Sequence, residues 1–109
     1  MDFTEMRDRA RSIRRQYAEI ERERHGRSWT TEEIVLGFVG DVGDLAKLIQ
    51  AHAGVRGIKP AAEVRHDIAH ELGDCLWSVI VLADETGVDL EAAFNETMDS
   101  LEDHLRDSH

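Results

Sequence analysis

The stretch CLWSVIVLA, residues 75–83, is apolar on nearly every side, and a helix built from it cannot lie on a protein surface. It belongs to a segment that begins after Pro60, a residue suited to a helix start. The segment runs from Ala61 to Thr86 and stops at Gly87, the residue type that most often follows a helix. The chain must therefore wrap other helices around this one. Val79, Ile80, Val81 and Leu82 point in different directions, so part of the apolar surface is expected to meet a second subunit, giving a homo-dimer or tetramer.

Three further helices fit the pattern. Phe3–Arg24 carries a thin apolar stripe of Met6, Ala10, Ile13, Tyr17 and Ile20 at 3–4 spacing, among arginines and glutamates, and ends near His25-Gly26. In TTEE, Thr30 is an N-cap with Glu33 three residues later, a capping box that opens a helix over 31–52, which Gly54 stops. After the loop GVRGIKP and the central helix, Asp89 caps a last helix through about Leu105. One proline in 109 residues, and no repeat or linker, indicate a single all-α domain of four-helix bundle type over 1–109.

Charge narrows the function. Residues 1–27 hold eight arginines and six acids, net +2, and residues 28–109 hold five basic and seventeen acidic residues, net −12, which together give −10. So negative a surface repels nucleic acid, whose binding requires clustered Lys and Arg. It attracts cations instead. The single Cys75 cannot form an internal disulfide, the N-terminal residues lack the apolar core of a signal peptide, and no run approaches the ~18 apolar residues of a membrane span. A cytoplasmic protein with neither nucleic-acid nor membrane partners is expected.

The acids are arranged. At 100° per residue, Asp41 and Asp44 lie about 60° apart on one turn, at the edge of an apolar face formed by Ile34, Phe38, Val42, Leu45 and Ile49. Glu71 and Asp74 repeat the i, i+3 relation on the next helix, beside Val64, Ile68, Leu72, Cys75 and Val79. Such pairs are usually solvated surface, but two of them on successive apolar helices weaken that reading. A turn at GDVGDL, with Asp44 capping a new helix, is the other alternative, and the unbroken apolar period from Ile34 to Ile49 opposes it. If the two helices pack antiparallel, four carboxylates converge, and they need a hard divalent cation to stay ionised. All-oxygen ligation selects Mg²⁺ or Mn²⁺, and Mg²⁺ held by carboxylates typically also binds substrate phosphates. Metal-assisted hydrolysis at phosphorus is the implied chemistry.

GDVGDLAKLI followed by HELGDCLWSVIVLADETGVDLEAAF resembles the MazG-like, all-α nucleoside triphosphate pyrophosphohydrolases, whose signature is EExxE on one helix and ExxD on the next. The likeness covers roughly residues 30–100. Glu71 and Asp74 match ExxD literally, while Asp41 and Asp44 stand at the ligand spacing of EExxE and Gly40 stands in place of its first Glu. The resemblance implies an enzyme that cleaves nucleoside triphosphates to monophosphate and pyrophosphate, as families that remove damaged or non-canonical nucleotides do. It implies Mg²⁺ (or Mn²⁺) held by Asp41, Asp44, Glu71 and Asp74, with a carboxylate such as Glu71 orienting or deprotonating the attacking water. Substrate contacts fall to Lys47, Lys59, Arg65, Trp77 and Asn95. Two rivals stand beside this reading: a non-enzymatic member that binds a nucleotide or a protein partner, and a phosphoribosyl-ATP pyrophosphohydrolase.

Other features are weaker. HDIAH, residues 66–70, differs by one residue from the zinc-protease HExxH motif, but Asp is a poor substitute for its Glu and no third ligand follows. Trp77 suits stacking on a base or burial at an interface, and Cys75 reads as an inert thiol. The arginines of the first helix read as a solvated face, with a phosphate tail from a partner subunit as the alternative.

Overall fold

The computed structural model describes residues 1–54 and 59–108, so residues 55–58 of the loop expected between the second and third helices lie outside the described residues. Four helices follow one another: α1 (Phe3–His25), α2 (Thr31–His52), α3 (Ala61–Thr86) and α4 (Leu90–Asp107). The architecture is all-α, as the sequence indicates.

The ends follow from local chemistry. Asp2 caps α1 by accepting from Glu5 N, and Gly26 ends it at φ 80°, a left-handed conformation natural to glycine. At α2 the capping box is complete: Glu33 N donates to Thr30 Oγ1 at 3.2 Å, and Thr30 N donates to Glu33 Oε1 at 3.1 Å. Arg27 also grips Glu33 at 2.6 Å and, ahead of the Thr30 backbone, holds its carboxyl well down, to about 2. Gly87 at φ 74° ends α3, and Asp89 caps α4 by accepting from Ala92 N at 3.1 Å.

α3 is central. α2 packs along it, and α1 contacts it more briefly. The α2–α3 pair is antiparallel, because Thr31 at the start of α2 donates to Glu85 near the end of α3, at 2.7 Å. The stripe of α2 shielded from solvent runs through Ile34, Phe38, Asp41, Leu45 and Leu48. Val42 and Ile49, expected on the core face, are instead exposed, and Asp41 sits within the stripe rather than at its edge. The contact with α3 is thus rotated by a fraction of a turn from the face that apolar residues alone indicate. α2 carries apolar residues on too much of its circumference for them to fix one face.

The closed core is small: Ala10, Ile34, Val64, Ile80 and Val81 are its buried apolar residues. α4 buries none of its residues and makes little contact with the other helices. The Cα radius of gyration is 17.3 Å, against roughly 13 Å for a compact chain of about 100 residues. No helix among the described residues is long and apolar enough to cross a membrane.

Candidate metal centre and cleft

Antiparallel packing sets the middle of α2 against the middle of α3. Asp41, Asp44 and Glu71 each offer a carboxylate oxygen, and these oxygens lie within 4.8 Å of one another. The α2 pair is one turn apart on an unbroken helix, since no turn forms at GDVGDL. Glu71 Oε2 is cut off from solvent and has no hydrogen-bond partner. Burial, and then the neighbouring carboxylates of Asp74 and Asp44, push Asp41 above its ordinary carboxylate value. Burial, then Asp41, Asp74 and Asp44, push Glu71 up in the same way. Among the described residues the cluster thus holds negative charge that His70 offsets only in part, and an oxygen with no donor.

Asp74 is near enough to act on both acids, but its own carboxylate is taken by His70, whose Nε2 lies 3.2 Å from Oδ2. His70 and His66 therefore make no zinc pair of the HExxH kind: His70 serves a carboxylate, and the acidic cluster is all oxygen. Cys75 is half-buried beside the acids, and burial followed by the charge of Asp41, Glu71 and Asp74 pushes its thiol up. Such a thiol stays protonated and unreactive at neutral pH.

A cleft of about 710 Å³ opens between α1, α2 and α3, and Asp41 and Asp74 form part of its wall. Aromatic rings form much of the remainder: Tyr17, Trp29, Phe38 and Trp77. Tyr17 and Trp77 meet edge to face with ring centroids 6.1 Å apart, and Trp77 Nε1 donates to the Ala10 carbonyl at 3.3 Å. Arg24, at the end of α1, adds positive charge to the wall, and His25 beside it adds a polar ring. Gly37, one turn before Asp41, leaves its side open, for a Cβ built there meets nothing within 4 Å.

Of the five residues expected at substrate, Trp77 alone lines the cleft. It is half-buried against α1. Lys59 is engaged by Asp67 at 3.2 Å and Glu63 at 3.9 Å. Lys47 and Arg65 are exposed on α2 and α3, and Asn95 is exposed on α4. The cleft draws instead on Trp29 and on Glu21 and His25 of α1, to which the sequence assigns no role, and on Arg14 and Arg24, which it places on a solvated face. Trp29 immediately precedes the N-cap Thr30, where an apolar side chain often packs back on its helix, and that position was the available signal. The arginine-rich face of α1 has no solvated role at Arg14, whose side chain is only 13 % exposed.

Fold and site together define an all-α protein whose acidic cluster opens onto an aromatic cleft. The family model of the MazG nucleotide pyrophosphohydrolase domain matches residues 29–107, most of the chain, and the chain belongs to that family. Neither the curated proteins nor the solved structures compared with it gave a match.

Proposed function

We propose that this protein is a Mg²⁺- or Mn²⁺-dependent nucleoside triphosphate pyrophosphohydrolase that releases nucleoside monophosphate and pyrophosphate, with a role in clearing unwanted nucleotides in the cytoplasm. The observation that carries the reading is the juxtaposition of a cation-hungry carboxylate cluster with a ring-sized aromatic cleft, joined through Asp41. The cluster fits a hard divalent cation, because its donors are all carboxylate oxygens and Glu71 Oε2 is buried without a donor. Asp41, Asp44 and Glu71 would hold it, and Asp74 completes the set when His70 yields it. When bound, the cation neutralises phosphate charge and favours the hydroxide form of water.

The chain's own residues supply the rest. Trp29, Trp77 and Tyr17 flank a flat base, in a cleft whose volume falls within the ~300–1,000 Å³ usual for small-molecule sites. A base in the cleft sets the phosphate chain toward Asp41. A carboxylate of the set, Glu71 in this reading, orients the attacking water or takes its proton. The water oxygen bonds to the α phosphorus as the bond from that phosphorus to the bridging oxygen breaks, and pyrophosphate leaves with the electron pair. Lys47, one turn beyond Asp44, is the cation on that helix available to the phosphate tail.

The protein acts as a homo-oligomer in this reading. Val35, Leu36, Val39, Val42 and Ile49 of α2, with Leu72 and Leu76 of α3, are 40–71 % exposed, and none of them lines the cleft. A surface this apolar on an extended chain favours a second copy as its cover. The test is pyrophosphate release from a panel of NTPs and dNTPs with Mg²⁺ or Mn²⁺, alongside Asp41→Asn and Asp74→Asn. Turnover by the wild type and its loss in the variants is expected. No turnover of any nucleotide, or equal turnover by both variants, would sink the enzymatic reading.

A further inference from the structure

Trp29 lies in the five-residue connection between α1 and α2, where a chain is ordinarily free to move. Here both of its backbone polar groups are held. Its N–H donates to Glu21 Oε1 at 2.7 Å, and its carbonyl accepts from Arg14 Nη2 at 3.0 Å. Arg14 Nη1 also reaches both Glu21 oxygens, at 3.2 and 3.3 Å, and its Nε reaches Glu85 on α3 at 3.3 Å. Glu85 in turn accepts from Thr31 at the start of α2. Glu21 is 7 % exposed and is the only buried ionisable residue among the described residues.

A buried ion pair is a poor device for stability, since apolar residues of like volume often serve as well. Its geometry here serves something else. The planar guanidinium spends its three nitrogens on α3, on α1 and on the Trp29 carbonyl, a distribution that an ammonium cannot reproduce. The indole of Trp29, 49 % exposed, is thereby presented to the cleft from a connection fixed on both sides.

Resting on the reading of the cleft as the base site, we infer that Glu21 and Arg14 are positioning residues for base recognition, which set the width of the aromatic slot by holding Trp29. They touch the cleft wall, not the reacting phosphates. Their loss should therefore weaken the grip on the ring and leave the chemical step alone.

The test is a double-mutant cycle on the full chain, with the four common ribonucleoside triphosphates and Mg²⁺ as probes and inorganic tripolyphosphate as a competitor without a ring. Glu21→Gln, Arg14→Lys and Trp29→Leu should each raise KM about tenfold, the lower part of the range for one lost stacking partner, with kcat held within about twofold. Inhibition by tripolyphosphate should not change. Glu21→Gln should add nothing to Trp29→Leu, because both remove the same contact. If no nucleotide is turned over, the enzymatic reading fails by itself. Titration of the intrinsic tryptophan fluorescence with the corresponding nucleosides then gives the same cycle in Kd. Additive effects in the double variant would overturn the inference, as would wild-type KM or Kd in both Glu21→Gln and Arg14→Lys. So would a parallel loss of tripolyphosphate affinity, or loss of the folded state in both variants, which would assign the clamp to stability.

Discussion

Gly37 and Gly73 separate what a glycine costs the fold from what it gives the site. Both lie inside helices, and a Cβ built at either meets nothing within 4 Å. Replacing glycine by alanine in a helix interior should stabilise the chain by about 1 kcal/mol, since no clash subtracts from the gain in helix propensity. For a domain of this size that is a rise in Tm of roughly 4–8 °C. The two positions differ in one respect: Gly37 lines the cleft and Gly73 does not. On the proposed reading of the cleft as the base site, a methyl group at Gly37 projects into space the substrate needs, and overfilling a fitted space typically costs about 1–3 kcal/mol, or roughly a 5- to 150-fold loss of affinity. Gly37→Ala should thus be more stable and bind nucleotide worse, whereas Gly73→Ala should be more stable and bind normally. Thermal denaturation and nucleotide titration by calorimetry read the two effects separately. The reasoning is refuted if Gly37→Ala binds nucleotide as tightly as the wild type, or if it melts lower while Gly73→Ala melts higher.

The acidic cluster makes stability depend on pH in a direction that a cation reverses. Asp41 and Glu71 sit above their ordinary values, so between those values and the raised ones the folded protein binds more protons than the unfolded chain, and stability falls as pH rises through the window. Without a cation, Tm should rise as pH is lowered toward the ordinary carboxylate range, Asp41→Asn should flatten that slope, and the gain from Mg²⁺ should be larger at the higher pH. A flat profile without cation would refute this account. At Gly40 no atom crowds the backbone, so Gly40→Leu should fold normally while hindering binding of the metal–nucleotide pair; unchanged affinity would show that the open backbone there is merely tolerated. Leu36 and Leu76 are 71 % and 44 % exposed, and Leu36→Asp with Leu76→Asp should shift the protein toward monomer in light scattering, at helical content near that of the wild type. An unaltered mass would refute the proposed cover of these residues by a second copy.

The sequence discloses the elements of this fold better than their packing. Caps at Thr30 and Asp89 and stops at Gly26 and Gly87 are set by neighbouring residues, so α1 to α4 fall where local chemistry puts them. The acid pairs are legible for the same reason: i, i+3 spacing on a helix survives any tertiary arrangement. Which side of α2 meets α3 was less legible, because Val35, Leu36, Val39, Val42 and Ile49 extend its apolar surface beyond what one neighbour covers. The aromatic cleft was hardest to see. It is assembled from Tyr17, Trp29, Phe38 and Trp77, four rings spread over sixty residues and related only by the way α1 crosses α3. No local period connects them, and the basic tract of α1 disguised its cleft-facing side as a solvated surface.

Charge bears on how the proposed site would take a nucleotide. The chain carries a net charge of −10, and residues 28–109 contribute −12 of it. A nucleoside triphosphate brings several further negative charges toward Asp41 and Asp74, which share the wall of the cleft. Like charges a few ångströms apart in partly desolvated surroundings cost about 1–4 kcal/mol per pair, enough to cancel the roughly 1–3 kcal/mol that stacking of one base supplies. The base alone carries no such penalty. It follows that affinity for a nucleoside should depend little on Mg²⁺, whereas affinity for its triphosphate should rise by at least about tenfold when Mg²⁺ is added. Tryptophan fluorescence titrations of each pair, with and without the cation, measure both. Tight binding of the triphosphate in the presence of a chelator would mean that the basic residues of α1, not the carboxylate cluster, receive the phosphate tail, and the orientation of substrate in the cleft would have to be reversed.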